Sequence, residues 1–171
     1  MTVSLRGGRP VTVASAGDGL SQPDWGWDGM IYFARERILY RVPATGGEPE
    51  AVTAPTDGVQ WHPDALPDGR GLLLTVVRGG PAQSRIAVVG PEGGEVREIL
   101  TGTMARYAAT GHVVYATADR TLLAAPFDVR RLEVTGPSVA LVEGVQVSPT
   151  SESQFALSES GTLLYGTGGG A

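Results

Sequence analysis

Pro23-Asp24-Trp25-Gly26-Trp27-Asp28-Gly29 is a string of residues that returns 40 positions later as Pro63-Asp64-Ala65-Leu66-Pro67-Asp68-Gly69. The two copies share the pattern Pro-Asp-x-x-x-Asp-Gly. Weaker copies of its ending follow at Thr110-Gly111 and Ser160-Gly161, so that the turn glycines are 40, 42 and 50 residues apart. Asp-Gly is a strong signal for a tight hairpin turn, because glycine adopts a positive φ without steric cost. The chain therefore holds about four copies of a unit that is marked by a hairpin.

Short apolar runs follow these turns, and each unit fits four short strands. The second strands are predicted at 30–34, 72–76, 113–116 and 163–165, the third at 38–42, 85–89 and 121–124, and the outer ones at 51–53, 96–100 and 139–142. Near-continuous apolar runs of this length are typical of strands that are covered on both faces, as between stacked blades. No window shows sustained helical periodicity. The pattern predicts an all-β fold, an antiparallel β-propeller with one four-stranded blade per unit.

The two ends of the chain each fit half of a blade. The predicted single module covers 1–171, with a half blade at 1–14, whole blades at 20–53, 60–100 and 104–142, a half blade at 153–166 and a flexible tail at 167–171. The two halves can pair and close a ring of three whole blades and one composite blade, which would remove exposed strand edges. Alternatively, the chain is part of a larger propeller. We favour the second explanation, because four-bladed rings are rare.

The composition excludes several classes of function. All 13 basic residues are arginine, and lysine, asparagine and cysteine are absent from the 171 residues. Without lysine the chain contains no P-loop lysine, no Schiff base and no kinase catalytic core. The net charge of −5 gives no attraction to nucleic acid or anionic membranes. No apolar run is long enough for a signal peptide or a transmembrane segment, so we expect no direct membrane insertion; the compartment and the oligomeric state stay open.

Three residues are candidates for a ligand site at the mouth of the central channel. Trp61 and His62 are expected just before the first strand of the second unit, where a small molecule or peptide could stack on the indole and hydrogen-bond the imidazole. Arg106 takes the position, five residues before the turn glycine, at which the other units have Asp24 and Asp64. Both sets also fit structural roles. The tryptophan can pack between blades beside a half-exposed histidine, and the charged residues can pair with one another.

No motif for catalysis, a cofactor or a metal is present. The sequence has no Gly-x-Ser-x-Gly elbow, no His-Glu-x-x-His and no EF-hand spacing, and its two histidines without cysteine do not make a transition-metal site. Asp28 and Asp68 are expected to cap their own turns, as aspartate beside glycine does in hairpins. His112 is expected to be structural. We therefore predict a module that is not an enzyme and has no catalytic residues, cofactors or metals.

The repeat resembles that of TolB-like β-propeller proteins in its Pro-Asp-x-x-x-Asp-Gly strings and in Gly46-Gly47-Glu48-Pro49 and Gly93-Gly94-Glu95. A closer likeness is carried by the runs 107–116, 121–128 and 132–137, followed by Gln154-Phe155-Ala156-Leu157-Ser158. These runs are similar to the propeller regions that follow the kinase domain in bacterial serine/threonine protein kinases of the Hanks type. The likeness extends over roughly residues 20–166.

The resemblance implies a sensory or interaction region, extracytoplasmic when attached to a membrane-anchored kinase, with catalysis elsewhere in the polypeptide. We expect a protein or a small polar ligand as its partner. Three alternatives stay open. The chain could be a periplasmic scaffold of the TolB type, or the gating propeller of a prolyl-oligopeptidase-like hydrolase, which needs an α/β-hydrolase domain that these residues do not contain. It could also be a truncated gene fragment.

Overall fold

Fifteen β-strands make up the regular structure of the described residues, which in this computed structural model are 9–14, 22–158 and 160–168. The strands follow one another along the chain, and two of the connections between them contain a short 3-10 helix. In chain order they are β1 (Asp24–Trp25), β2 (Met30–Arg35), β3 (Ile38–Pro43), β4 (Glu50–Ala51), β5 (Val59–Ala65), β6 (Leu72–Val77), β7 (Arg85–Val89), β8 (Arg97–Thr101), β9 (Thr103–Ala108), β10 (His112–Ala116), β11 (Thr121–Asp128), β12 (Glu133–Val134), β13 (Val139–Glu143), β14 (Phe155–Leu157) and β15 (Leu163–Tyr165).

The first three units each form an antiparallel sheet in which the order of strands in space follows their order in the chain. The first sheet is β1-β2-β3-β4, the second is β5-β6-β7-β8, and the third is β9-β10-β11 with β13 beside β11. Such up-and-down sheets are the blades of a β-propeller. The all-β prediction is confirmed, and β2, β3, β6, β7, β8, β10, β13 and β15 lie within one residue of their predicted bounds.

Two strands differ from the prediction at their outer ends. β11 continues to Asp128 instead of ending at Ala124, because the long hairpin that follows it folds back and pairs through β12. β4 ends at Ala51, before the predicted Thr53. Thr53 still accepts a hydrogen bond from the Leu39 N–H of β3 through its side chain, at 2.9 Å, while its backbone forms a parallel bridge to Gly94 of the second unit.

Apolar side chains of neighbouring sheets pack face to face. Between the first and second units the buried residues are Tyr32, Ala34, Leu39, Leu72, Leu74, Val76, Ala87 and Val89. Between the second and third units they are Leu66, Leu73, Ile86, Val88, Ala105, Val113, Tyr115, Ala125 and Phe127. Successive side chains of a strand point to opposite faces, so β6 places alternate residues in the two interfaces. Coverage on both faces is the reason for the near-continuous apolar run of β6, as predicted.

The fourth unit is a smaller hairpin of β14 and β15. An antiparallel bridge from Val145 to Thr167 and another from Val147 to Ser153 extend it. Phe155 and Val145 pack against the third unit in a cluster with Met104, Ala108, Val114, Ala116 and Leu122. The third unit therefore has packed neighbours on both faces.

Residues near the start of the chain cover the remaining face of the first sheet. Val13 packs against Phe33 and Val42, which point away from the second unit. Most of the predicted half blade 1–14, the first residues of the predicted blade 20–53 and the end of the predicted tail 167–171 lie outside the described residues. Thr167, placed in that tail by the prediction, takes part in the bridge with Val145.

Within the described part of the chain, no helix has the length and hydrophobicity needed to span a membrane.

Candidate functional site

The innermost strands β1, β5 and β9 carry charged side chains at one equivalent position, five residues before the turn glycine. Asp24 accepts a hydrogen bond from the backbone N–H of Ala65 at 2.7 Å. Asp64 accepts one from the backbone N–H of Tyr107 at 2.8 Å. Each carboxylate therefore ties its strand to the innermost strand of the next unit. Because the same bond recurs at two interfaces, it belongs to the repeat.

Arg106 cannot continue this series, because a guanidinium group has no acceptor atom. Its side chain lies beside the second unit, with Nε 3.8 Å from Oδ1 of Asp64. It also donates a hydrogen bond to the carbonyl oxygen of Ala105 at 3.1 Å. Both charged side chains are largely buried, 19% exposed for Arg106 and 16% for Asp64. The structural alternative for Arg106, pairing with an inner-strand carboxylate, is therefore present in the fold.

Burial raises the pKa of Asp64 from 3.8 to about 6. The positive charge of Arg106 and the bond from Tyr107 oppose this rise, whereas the negative charge of Asp24 adds to it. The two carboxylates thus repel each other. Among the described residues Arg106 pairs with Asp64, and no cationic side chain pairs with Asp24. This group of three side chains carries a net negative charge at neutral pH.

Trp61 and His62 lie inside β5 and not before it, which corrects their predicted position. The register of β5 against β6 shifts between Trp61 and Asp64, and His62 has a φ of 54°. This bulge, which the sequence pattern does not reveal, turns the imidazole into the interior, where it is fully buried. Trp61 is partly buried beside the cluster between the first two units. Of the three predicted site residues, Arg106 contacts Asp64, whereas the His62 side chain lies in the interior.

Neither ring nitrogen of His62 has a hydrogen-bond partner among the described residues. Burial, helped by the positive charge of Arg106, lowers the pKa of His62 to about 4. The imidazole is therefore neutral at neutral pH. Met104 occupies the equivalent position of β9, seven residues before its turn glycine, and has a φ of 48°. The left-handed bulge thus recurs in the repeat and does not depend on a histidine.

A cleft of 620 Å³ lies where the innermost strands approach the Asp-Gly turns. Residues from all four units border it, among them Asp24, Trp25, Trp27, Asp64, Tyr107 and Leu157. Trp25 is 60% exposed and Trp27 is 68% exposed. An indole offers an apolar face and one N–H donor, and a carboxylate offers acceptors, so this surface can contact both the apolar and the polar parts of a ligand.

Trp25 and Trp27 were not selected from the sequence as site residues, although they belong to the string that predicts the fold. The variable positions of that string hold Trp25-Gly26-Trp27 in the first unit and Ala65-Leu66-Pro67 in the second. Leu66 is buried, whereas both indoles are exposed. A comparison of the two copies gives the missing signal, because two large aromatic residues stand where the other copy has alanine and proline.

The turn residues have the following roles. Asp28 accepts hydrogen bonds from the backbone N–H of Met30 at 3.0 Å and from the Tyr32 hydroxyl at 2.7 Å, which confirms it as a cap of its turn. Burial and this carboxylate raise the pKa of Tyr32 to about 12. For Asp68, no side-chain hydrogen bond to its turn is found among the described residues, so the expected cap is not seen; the residue adopts a left-handed φ of 56° next to Gly69. His112 contacts its own turn through Nδ1, 3.1 Å from the carbonyl oxygen of Thr110.

A second cleft, of 440 Å³, lies toward the start of the innermost strands. Gln22, Met104 and Gln154 line it, and each stands seven residues before the turn glycine of its unit. Among the described residues that line it, Glu152 carries the one charge. In residues 9–14, 22–158 and 160–168, no three histidine, aspartate or glutamate side chains are close enough together to hold a metal ion.

No family model and no curated protein matches the sequence. Regucalcin from Agrobacterium tumefaciens, described as a calcium-binding protein, is similar in structure over 86% of this chain, with a TM-score of 0.63 and 10% sequence identity. A protein of unknown function from Bacteroides caccae is similar over 90% of this chain, with a TM-score of 0.52 and 20% identity. The chain spans about half the length of these two proteins, 53% and 55%. At this level of identity the likeness concerns the fold alone, and it shows that the chain has β-propeller architecture.

Proposed function

We propose that this chain is a binding module without catalytic activity of its own, which recognises a protein or a small polar ligand at the cleft beside Trp25 and Trp27. The observation that carries the proposal is the exposure of these two indoles at a cleft of 620 Å³ bordered by all four units. Large aromatic side chains are costly to leave in water and are common anchors of binding sites. Trp25 lies on β1, which pairs with β2 and is tied to β5 through Asp24, and Trp27 lies in the turn between β1 and β2, so both rings are carried by a rigid scaffold.

We further propose that the module is the sensory or interaction region of a bacterial serine/threonine protein kinase. The support is the likeness of the runs 107–116 and 121–128 to propeller regions that follow such kinase domains. These runs contain β10 and β11, the central strands of the third unit. Sequencing of the DNA around the reading frame tests this context. A kinase domain and a membrane helix in frame upstream would support it, and stop codons immediately on both sides would contradict it.

Binding at the cleft is tested with isotopically labelled protein, whose three indole N–H signals are assigned by tryptophan-to-phenylalanine variants. The probes are phenethylamine, an N-acetylglucosamine oligomer and a short capped peptide. We expect at least one of them to shift the signals of Trp25 and Trp27 and to leave that of Trp61, which lies outside the cleft. The double variant W25A/W27A should lose binding while keeping its melting temperature. If no probe moves either cleft signal of the folded protein, the proposal is contradicted.

A further inference from the structure

The charge and the aromatic surface of the 620 Å³ cleft indicate what kind of ligand it accepts. We propose that it binds organic cations, that is, ligands with a primary ammonium group on an apolar body. Such a group can come from a free amine or from the lysine side chain of a peptide. This inference rests on the proposed function, because it names the ligand chemistry of the same cleft.

The charges of the side chains around the cleft do not balance. Asp24 and Asp64 both line the cleft, and the negative charge of Asp24 contributes to the raised pKa of Asp64. Arg106 compensates one of them, but its guanidinium lies 3.8 Å from Asp64 and also donates to a backbone carbonyl. No cationic side chain pairs with Asp24 among the residues described. An ammonium group in the cleft would supply the missing positive charge, whereas an anion would be repelled.

The Asp24 carboxylate has hydrogen-bond acceptor sites left for a ligand. An ionised carboxylate offers about four acceptor sites on its two oxygens. The Ala65 N–H uses one site on Oδ2 of Asp24, at 2.7 Å. Because this bond comes from the fixed backbone of the next unit, it also holds the carboxylate in one orientation. Asp24 is therefore a positioned acceptor, and a primary ammonium group has three N–H donors to offer it.

Aromatic side chains line the same cleft as these carboxylates. The faces of aromatic rings carry partial negative charge, and the indole ring attracts cations most strongly. Trp25 and Trp27, which are 60% and 68% exposed, both line this cleft. Charged acceptors and aromatic faces that meet at one cleft together favour a ligand with a cationic head and an apolar body. A neutral ligand could stack and donate a hydrogen bond, but it would not supply the positive charge.

A matched pair of probes tests the proposal. Phenethylamine and phenethyl alcohol have nearly the same shape and differ in charge at neutral pH. We expect the amine to shift the indole signals of Trp25 and Trp27 and the alcohol to bind about tenfold more weakly or not at all. Asp24→Asn keeps an oxygen acceptor for the Ala65 N–H but removes the charge, and should weaken amine binding about tenfold. Glu92→Gln, an equal change of charge at an exposed turn outside the cleft, should leave the affinity unchanged.

The pH dependence gives a second readout. The pKa of Asp64 is about 6 because the side chain is buried, so lowering the pH from 7 to 5 neutralises one of the two carboxylates while the amine stays charged. Amine affinity should therefore fall across this range. The same decrease should be absent in Asp64→Asn, which is neutral throughout.

The outcomes separate this inference from the proposed function. If the alcohol or the N-acetylglucosamine oligomer binds as tightly as the amine, or if Asp24→Asn binds the amine as the parent does, the cation inference is wrong while binding at the cleft stands. If no probe shifts either cleft indole, both proposals fail. A capped peptide with one lysine, compared with its norleucine version, distinguishes the source. Tighter binding of the lysine peptide than of free amine assigns the site to peptides, and binding of the free amine alone assigns it to small molecules.

Discussion

Asp64 and His62 lie two residues apart on β5, and burial moves their pKa values in opposite directions. The pKa of His62 falls from 6.5 to about 4, and that of Asp64 rises from 3.8 to about 6. Burial favours the neutral form of each group, so the direction depends only on which form is neutral. The charged neighbours are Arg106, which faces both groups, and Asp24, which faces Asp64.

These two shifts act oppositely on stability between pH 4 and 6. An unfolded chain binds a proton at His62 in this range and the folded one does not, so this residue makes stability rise with pH. At Asp64 the folded chain holds the proton and the unfolded one releases it, so stability falls with pH. Each effect amounts to about 3 kcal/mol across its range. The two contributions largely cancel in the parent protein.

Single substitutions should therefore reveal slopes of opposite sign. His62→Met uses the residue that stands at the equivalent bulge of β9, and relative to the parent its stability should fall as the pH rises from 4 to 6. Asp64→Asn should show the reverse: its stability relative to the parent should increase as the pH rises from 4 to 6. Urea unfolding at several pH values measures both slopes, with His112→Gln, at the partly exposed start of β10, as the control. Relative slopes of the same sign in the two variants would contradict the assignment of these pKa shifts.

Gly93 shows how a turn of one unit joins the strand of another. The Gly94 N–H donates to the carbonyl oxygen of Val52 at 2.7 Å, and the Ala54 N–H donates to the carbonyl oxygen of Gly94 at 2.7 Å. Gly93 itself has a φ of 76°, and a Cβ added there would lie 2.4 Å from the carbonyl oxygen of Val52. The double glycine that marks the repeat in the sequence is thus needed for docking between units as well as for turning.

Gly93→Ala should destabilise the protein by about 2 kcal/mol or more, because a methyl group both strains the left-handed backbone and meets a fixed carbonyl oxygen. Gly90→Ala is the matched control at the start of the same turn. A Cβ at Gly90 meets nothing within 4 Å, and its φ is not positive, so we expect a change within about 0.5 kcal/mol. Chemical unfolding compares the two. Equal effects would show that the contact with the first unit is not important for stability.

At the level of elements, the sequence predicted the strands well and the site poorly. Strands such as β6 and β7 were predictable because burial on both faces demands continuous apolar residues. The bulge at His62 was not predictable. His62 and Met104 occupy the equivalent bulges of β5 and β9, and these two residue types share no preference for a positive φ that would mark the position. Trp25 and Trp27 stand in the string that predicts the turn, where the second copy has Ala65 and Pro67, and this difference is the sequence signal for them; the fold shows in addition that both are exposed.

On the scale of the whole molecule, the interfaces between units are not equivalent. Asp24 accepts a hydrogen bond from the backbone of the second unit, and Asp64 accepts one from the backbone of the third unit. The third unit has Arg106 at the position equivalent to Asp24 and Asp64, so the junction between the third and fourth units lacks the hydrogen bond between a carboxylate and the backbone. Apolar packing around Phe155 and hydrogen bonds of Ser151 to the hydroxyls of Ser84 and Thr103 connect the fourth hairpin instead.

The fourth hairpin should accordingly open before the rest of the molecule unfolds. Leu164 and Tyr165 of β15 are 72% and 42% exposed, whereas the central strands of the second unit are almost wholly buried. Segments with few buried contacts exchange their amide protons through local opening, at a free energy below that of global unfolding. We expect the amides of β14 and β15 to be less protected than those of β6 and β7 by at least about 2 kcal/mol.

A substitution at the junction sharpens this test of unequal interfaces. Ser151→Ala removes the hydroxyl that lies 2.9 Å from Ser84 Oγ, and should lower protection in the fourth hairpin by about 1 kcal/mol while leaving β6 and β7 unchanged. Thr150→Ala, at an exposed neighbouring position, is the control. The contrary result is that the amides of the fourth hairpin and of the central strands exchange only through global unfolding, and that Ser151→Ala lowers the protection of both equally. In that case the four units form one cooperative structure. The missing carboxylate bond at Arg106 would then have no effect on how the molecule opens.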